Sequence, residues 1–193
     1  VFLASQAAFV RPGMRALAVA DGEGRNGVWL AEQGAQVHAI DFSPLALEKA
    51  RKLADARGVT LEFEQADVLN WNWPHATYDL VAAIFIQFAP PPERDRIIAG
   101  IRRCLKPGGL LILQGYTPKQ IEFATGGTPS AANMYTAELL RRGGAMGGRT
   151  RAMTAHDVDA RRLMLVLRSR FNYNRTPAEV APYLTHGGMR AET

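Results

Sequence analysis

The chain has 193 residues, 47% of them hydrophobic and 21% charged, which describes one ordinary globular domain and excludes a fibrous, low-complexity or disulfide-stapled protein. Its net charge of +5 is unevenly spread: residues 1–140 carry 13 Lys and Arg against 14 Asp and Glu, a net of −1, whereas residues 141–193 carry 10 Arg against 4 acids, a net of +6. A basic groove for nucleic acid would include the body of the fold and interleave aromatic residues for base stacking, so nucleic acid is not expected as a partner.

The single cysteine, Cys104, cannot form an internal disulfide. Within IIAGIRRCL it reads as a small buried apolar residue of a helix, in keeping with a reducing cytoplasm. No apolar run reaches the roughly 18 residues of a membrane span, and VFLASQAAFVRPGMR lacks the charged and long apolar regions of a secretion signal. A cytoplasmic location is expected, with no membrane partner. The chain starts without methionine, from which an incomplete amino terminus is expected.

In chain order, residues 2–10 suit a short leading helix, and Pro12-Gly13 turns into a strand over Leu17–Ala20. Asp21-Gly22-Glu23-Gly24 breaks that strand with two glycines, where backbone must turn sharply and lie close to a ligand. Arg25–Gln33 continues as a helix that Gly34 can close, and Val37–Ile40 is a second strand ending on Asp41. Ser43 and Pro44 start the next helix, which ends at Gly58. The alternation of Val59, Leu61 and Phe63 predicts a third strand that delivers Asp67 and Val68 to its carboxyl end. Leu69–Pro74 is a loop with two tryptophans, more simply packing than a ligand shelf, and Tyr78–Phe85 is a strand covered on both faces. A helix is predicted from Glu93 to Leu105, stopped by Lys106-Pro107-Gly108-Gly109, with a fifth strand from Leu110 to Leu113. Strands alternating with helices predict a parallel α/β sheet.

Residues 114–135 form a long loop, expected to be a substrate-side lid, and Thr136 caps a short helix over 137–142. Residues 143–193 show only one strand-like run, Leu163–Leu167. They suit either irregular cover with one added strand or a stretch altered by a reading-frame change, the second being preferred. The expected organisation is a domain over 1–142 and an atypical basic segment over 143–193.

Gly22-x-Gly24-x-x-Gly27 followed by Asp41 also satisfies the dinucleotide fingerprint. Asp21 and Glu23, however, put two carboxylates at the turn, which would repel a pyrophosphate and suit a cation. A ligand with ribose, adenine and a positive sulfonium meets that description: S-adenosylmethionine. Asp41 then accepts from the ribose hydroxyls, Asp67 from the adenine amino group, and the Val68 amide serves a ring nitrogen.

GEGRN (22–26), Asp41, AD (66–67), YDLV (78–81) and LKPGG (105–109) fall in an order that resembles the class I S-adenosylmethionine-dependent methyltransferases. The GEGRN form, TGG (125–127) and YTAELL (135–140) most resemble the bacterial tellurite-resistance-like branch. The resemblance implies a Rossmann-like doubly wound sheet, incomplete or irregular at its carboxyl terminus, with S-adenosylmethionine as cofactor and no metal. It implies cofactor contact by Asp21, Gly22, Gly24, Arg25, Asn26, Asp41, Phe42, Asp67, Val68 and Ile84. It also implies a small-molecule methyl acceptor, with a soft nucleophile such as a thiol, tellurite or selenium species favoured. Gln87 stands where that branch often has a histidine, and Gln114 where it often has an acid, which counts against a general base at either. Gln87 and Tyr116 are the candidate acceptor-orienting residues, and His75 is read as a surface residue. The alternatives are a non-catalytic S-adenosylmethionine-binding module and a nicotinamide-type oxidoreductase.

Overall fold

The structure is a computed structural model that describes residues 2–123, 127–136 and 139, together with the backbone of two strands over 150–159 and 162–169. Strands β1 (Arg15–Val19), β2 (Gln36–Asp41), β3 (Glu62–Gln65), β4 (Tyr78–Ile84) and β5 (Leu105–Tyr116) pair in parallel. Two further strands, β6 (Thr150–Asp159) and β7 (Arg162–Ser169), complete a seven-stranded sheet of order β3-β2-β1-β4-β5-β7-β6, in which β7 runs antiparallel to both neighbours. Helices α1 (Phe2–Ser5), α2 (Arg25–Glu32), α3 (Pro44–Arg57), α4 (Pro91–Cys104) and α5 (Gln120–Phe123) connect and flank the strands. Chain order reverses between β1 and β4. The crevice beyond their carboxyl ends is where open α/β sheets bind ligands.

Period-two alternation sorts the strands' side chains into two cores. Leu17, Val19, Ile40, Val81, Ala83, Leu111 and Leu113 face one side and pack with Ile97, Ile101 and Cys104 of α4. Ala16, Ala18, Val37, Ala39, Leu80, Ala82 and Ile112 face the other, with Leu30 of α2. Small residues dominate the second face, so α2 can approach closely: a Cβ on Gly27 would lie 3.4 Å from Ala39. The expected buried state of Cys104 holds, and burial pushes its thiol up to about 12.

Asp79, from the YDLV run, accepts from the Arg15 amide (2.9 Å) and from Lys106 Nζ (2.9 and 3.0 Å). These contacts tie the amino ends of β1, β4 and β5, at the edge opposite the crevice. Two of the recognisable sequence runs, YDLV and LKPGG, therefore hold the sheet and do not line a site.

The helix ends follow local rules. Ser43 caps α3 by accepting from the Ala46 amide (3.2 Å), Pro44 occupies the first turn, and Gly58 closes the helix in the left-handed region. Helix α4 begins at Pro91, two residues before the expected Glu93, because proline is tolerated in a first turn whose amides need no intrahelical partner. The carboxyl-terminal segment contributes two strands to the sheet, against the single expected run: Leu163–Leu167 lies in β7, and β6 is a further strand. Two register shifts in the β6–β7 pairing break the alternation that would have marked β6. The predicted helix over 137–142, except Leu139, lies outside the described residues. Gln120, Met134 and Tyr135 of the predicted lid are buried, so that segment is anchored to the core at these three positions. No helix among the described residues is long and apolar enough to cross a membrane.

Gly100 forms a notch in α4 for Trp73, whose ring atoms would lie 2.3–2.4 Å from an added Cβ. Trp73 in turn donates through Nε1 to the Val68 carbonyl (3.2 Å), bracing the loop after β3. Gly100→Ala is therefore expected to destabilise. Helix propensity would gain about 1 kcal/mol, but forcing a methyl into packed ring atoms costs roughly 1–3 kcal/mol or more. Urea unfolding checks the sign, and a stabilised variant would contradict this packing.

Candidate active site

Three aspartates, one at or just beyond the end of each of β1, β2 and β3, organise the crevice. Asp21 is buried and accepts from the Gly27 amide (2.8 Å) and the Asn26 side chain (3.0 Å). Asp41 accepts from the Gly22 amide (2.8 Å) and from the Ser43 amide (2.8 Å). Asp67 accepts from the Leu69 amide (3.0 Å) and from Asn70 Nδ2 (2.6 Å). Each carboxylate thus satisfies turn groups that the parallel strands leave unpaired.

The glycines are required by geometry. Gly24 has φ 84° and stands where a Cβ would meet Ala50 Cβ of α3 at 2.7 Å, and a Cβ on Gly27 would lie 2.6 Å from Asp21 Oδ2. Ala20, just before the turn, takes φ 48°, an uncommon value for a residue with a side chain.

A cleft of about 590 Å³ opens above these turns, lined by Ala20, Asp41, Phe42, Ser43, Ala66, Asp67, Val68, Leu69 and Phe88. Phe42 is 71% exposed. The Val68 N–H donates to no protein group among the described residues. The cleft therefore offers two carboxylates with lone-pair capacity beyond their turn bonds, one unpaired amide donor and an apolar, partly aromatic wall. That donor set fits an adenosine group: a vicinal diol, an exocyclic amine, a ring acceptor and a flat ring.

Of the predicted residues, Asp41, Phe42, Asp67 and Val68 come together on this cleft, and Gly22 is tied to it through Asp41. Asp21, Gly24 and Asn26 build the turn from behind. Arg25 is not brought to the cleft: its side chain lines a separate groove between α2 and α3 with Glu23, Trp29 and Lys49. Ile84 packs against the core face that α2 covers. Gln87 is buried, with its Nε2 donating to the Tyr116 carbonyl (2.9 Å) and its Oε1 accepting from the Tyr116 amide. His75 is exposed, and among the described residues no group of three or more His, Cys, Asp or Glu could hold a metal. Phe88 was missed because nothing in its sequence surroundings separates it from a core aromatic.

Glu23 points away from the cleft, bonded to Lys49 Nζ (2.8 Å) and Arg25 Nη2 (3.1 Å), and these bonds, Lys49's first, hold its carboxyl below the usual value. Only Asp21 bears on the turn, so repulsion of a pyrophosphate cannot rest on two carboxylates. It is the cleft's donor set that suits an adenosyl group.

The sheet order matches the class I, Rossmann-like methyltransferase fold. Residues 16–109 match the sequence profile of the family described as methyltransferase domain. A demethylmenaquinone methyltransferase of Deinococcus radiodurans is 33% identical over 134 residues, covering 68% of this chain and 54% of that protein. The enzyme of the same name from Thermus thermophilus is 34% identical over 106 residues, covering 54% and 48%. The chain thus spans about half the length of these relatives. Among solved structures, a Pyrococcus horikoshii protein superposes with TM-score 0.74 at 19% identity, covering 86% of this chain and 87% of that one. An Aquifex aeolicus S-adenosylmethionine-dependent methyltransferase superposes with TM-score 0.67 at 17% identity, covering 86% and 88%. These structures share the fold, and the second of them is described as S-adenosylmethionine-dependent.

Asp21 gives the site a pH signature. Burial above all, against the hydrogen bonds from Gly27 and Asn26, pushes its carboxyl up from 3.8 to about 6. A raised folded pKa contributes stability that is present below the unfolded value and lost as pH rises through the folded one. The stability of the wild type relative to Asp21→Asn is therefore expected to fall between about pH 4 and pH 6 and to level off above about pH 7. Thermal unfolding across that range checks this, and a pH-independent difference would contradict it.

Proposed function

We propose that this protein transfers the methyl group of S-adenosylmethionine to a small-molecule acceptor. The observation that carries the proposal is the convergence of Asp41, Phe42, Asp67 and Val68 on one cleft. When bound, the cofactor supplies an electrophilic methyl group on a sulfonium centre. Asp41 is assigned the ribose hydroxyls, Asp67 the adenine amino group, the Val68 N–H a ring nitrogen, and Phe42 an apolar face of the ring. Asp21, Gly24 and Asn26 act by holding the turn rather than by facing the ligand. Gln87 is assigned a positioning role, since both ends of its amide hold Tyr116 backbone.

Alignment of the nucleophile with the methyl carbon supplies most of the catalysis. Asp41 and Asp67, the ionisable residues on the cleft, both bond to turn groups. Among the described residues, the cleft lining holds no further acid or histidine to act as a base. That supports a soft nucleophile, such as a thiol, tellurite or selenium species, as the sequence resemblance implies. The relatives from Deinococcus and Thermus are named for demethylmenaquinone, which places a quinol on the acceptor panel too. A second reading, a cofactor-binding module without turnover, draws support from Gln87 and Gln114, two buried amides where an acid or base would serve chemistry.

Asp41→Asn is expected to weaken S-adenosylhomocysteine binding by about 10- to 100-fold, the worth of charge-assisted hydrogen bonds to a diol. Asn keeps one acceptor oxygen for the turn, so the fold should survive. Isothermal titration reads the affinity, and an unchanged value would remove Asp41 from the site. Labelled cofactor with a panel of thiols, tellurite, selenite and a naphthoquinol then separates the two readings, because any methylated product excludes the inert module.

A further inference from the structure

The loop leaving β4 carries a feature that the cofactor cleft does not use. Phe85 sits at φ 59°, a left-handed value that a bulky side chain rarely adopts. Its amide donates to the Gln114 carbonyl (2.7 Å), and the residue is 37% exposed at the site edge of the sheet. The ring stands 4.7 Å from that of Tyr116, tilted by 36°.

Tyr116 is fixed from behind. Its carbonyl accepts from Gln87 Nε2 and from the Tyr135 amide (both 2.9 Å), and its amide donates to Gln87 Oε1. Gln87 and Tyr135 are both buried. Gly127 makes room for the ring: a Cβ there would lie 2.7 Å from it. Three residues beyond Phe85, Phe88 is 53% exposed and lines the cofactor cleft. One loop thus bears a ring on the cofactor cleft and a ring on the Phe85–Tyr116 pair, in which Phe85 is exposed and Tyr116 half-buried. Aliphatic side chains would suffice to close an apolar surface. A strained, rigidly backed aromatic pair offers what they lack: faces and edges that match another ring.

Resting on the methyl-transfer reading, we propose that Phe85 and Tyr116 form the acceptor wall and that the acceptor is a planar conjugated ring bearing its nucleophilic sulfur or oxygen. A thiol or hydroxyl conjugated to a ring ionises more readily than its aliphatic counterpart and yields a soft, delocalised anion. Such an acceptor needs no buried base. The step forms one bond from that sulfur or oxygen to the methyl carbon and breaks the methyl–sulfonium bond. The broken bond's electron pair goes to the cofactor sulfur, and the acceptor's proton is lost to solvent.

The test uses the full chain saturated with S-adenosylhomocysteine and titrated with 2-naphthalenethiol and 1,4-dihydroxynaphthalene under reducing conditions. Cyclohexanethiol, selenite and tetramethylammonium serve as comparison probes. The naphthalene probes should bind at least about tenfold more tightly than the others. Phe85→Leu should weaken them by about tenfold, Phe85→Tyr should restore them, and S-adenosylhomocysteine affinity should stay within about twofold throughout. If Phe85→Leu fails to fold, Phe85→Gly, which suits the left-handed backbone, replaces it. Equal or tighter binding of cyclohexanethiol, selenite or tetramethylammonium, or ring affinity untouched by the loss of Phe85, would overturn the proposal. Failure of the wild-type chain to bind S-adenosylhomocysteine would defeat the methyl-transfer reading itself, and this proposal with it.

Discussion

The site depends on the carboxylate of Asp41 reaching across from the end of β2 to the Gly22 amide, in the turn that follows β1. Its other oxygen holds the Ser43 amide at the start of α3. One side chain thereby fixes the glycine turn relative to the neighbouring strand end. Parallel strands leave unpaired backbone donors where they stop, and a carboxylate satisfies them with bonds stronger than neutral ones. Asp21 and Asp67 do the same for their own turns. The crevice is thus held open by the groups that give it its polarity, and each carboxylate keeps capacity to accept from a ligand.

Close approach is the second condition. Gly24 lets the start of α2 lie against Ala50 of α3, Gly27 lets Asp21 reach its amide, and Gly100 admits Trp73 into the face of α4. The last contact carries packing into the site, because Trp73 also holds the Val68 carbonyl. Core and cleft are therefore coupled: a methyl added at Gly100, on α4, presses on the ring that braces the loop bearing Asp67 and Val68.

Much of this was legible in the sequence because it follows local rules. Two glycines after a short apolar run mark the turn, Ser43-Pro44 marks a helix start, and an acid after a strand marks Asp41 and Asp67. What was not legible depends on direction. Sequence places Asp21 and Glu23 together at the turn, yet one is buried under it and the other reaches outward to Lys49. Arg25 follows Glu23 outward for the same reason. Phe85 and Phe88 read as plain continuation of an apolar strand. Only the positive φ of Phe85 and the exposure of both rings distinguish them from core. The strand β6 was hidden by register shifts that erase its alternation.

The central claim is that the strand-end aspartates and the unpaired Val68 amide form one adenosyl site. Amide-resolved NMR during titration with S-adenosylhomocysteine tests it most directly. The largest shifts and the strongest gain in exchange protection should fall on Gly22, Phe42, Ser43 and Val68. Perturbation centred on Glu23, Trp29 and Lys49 in the α2–α3 groove, with Val68 unmoved, would contradict it.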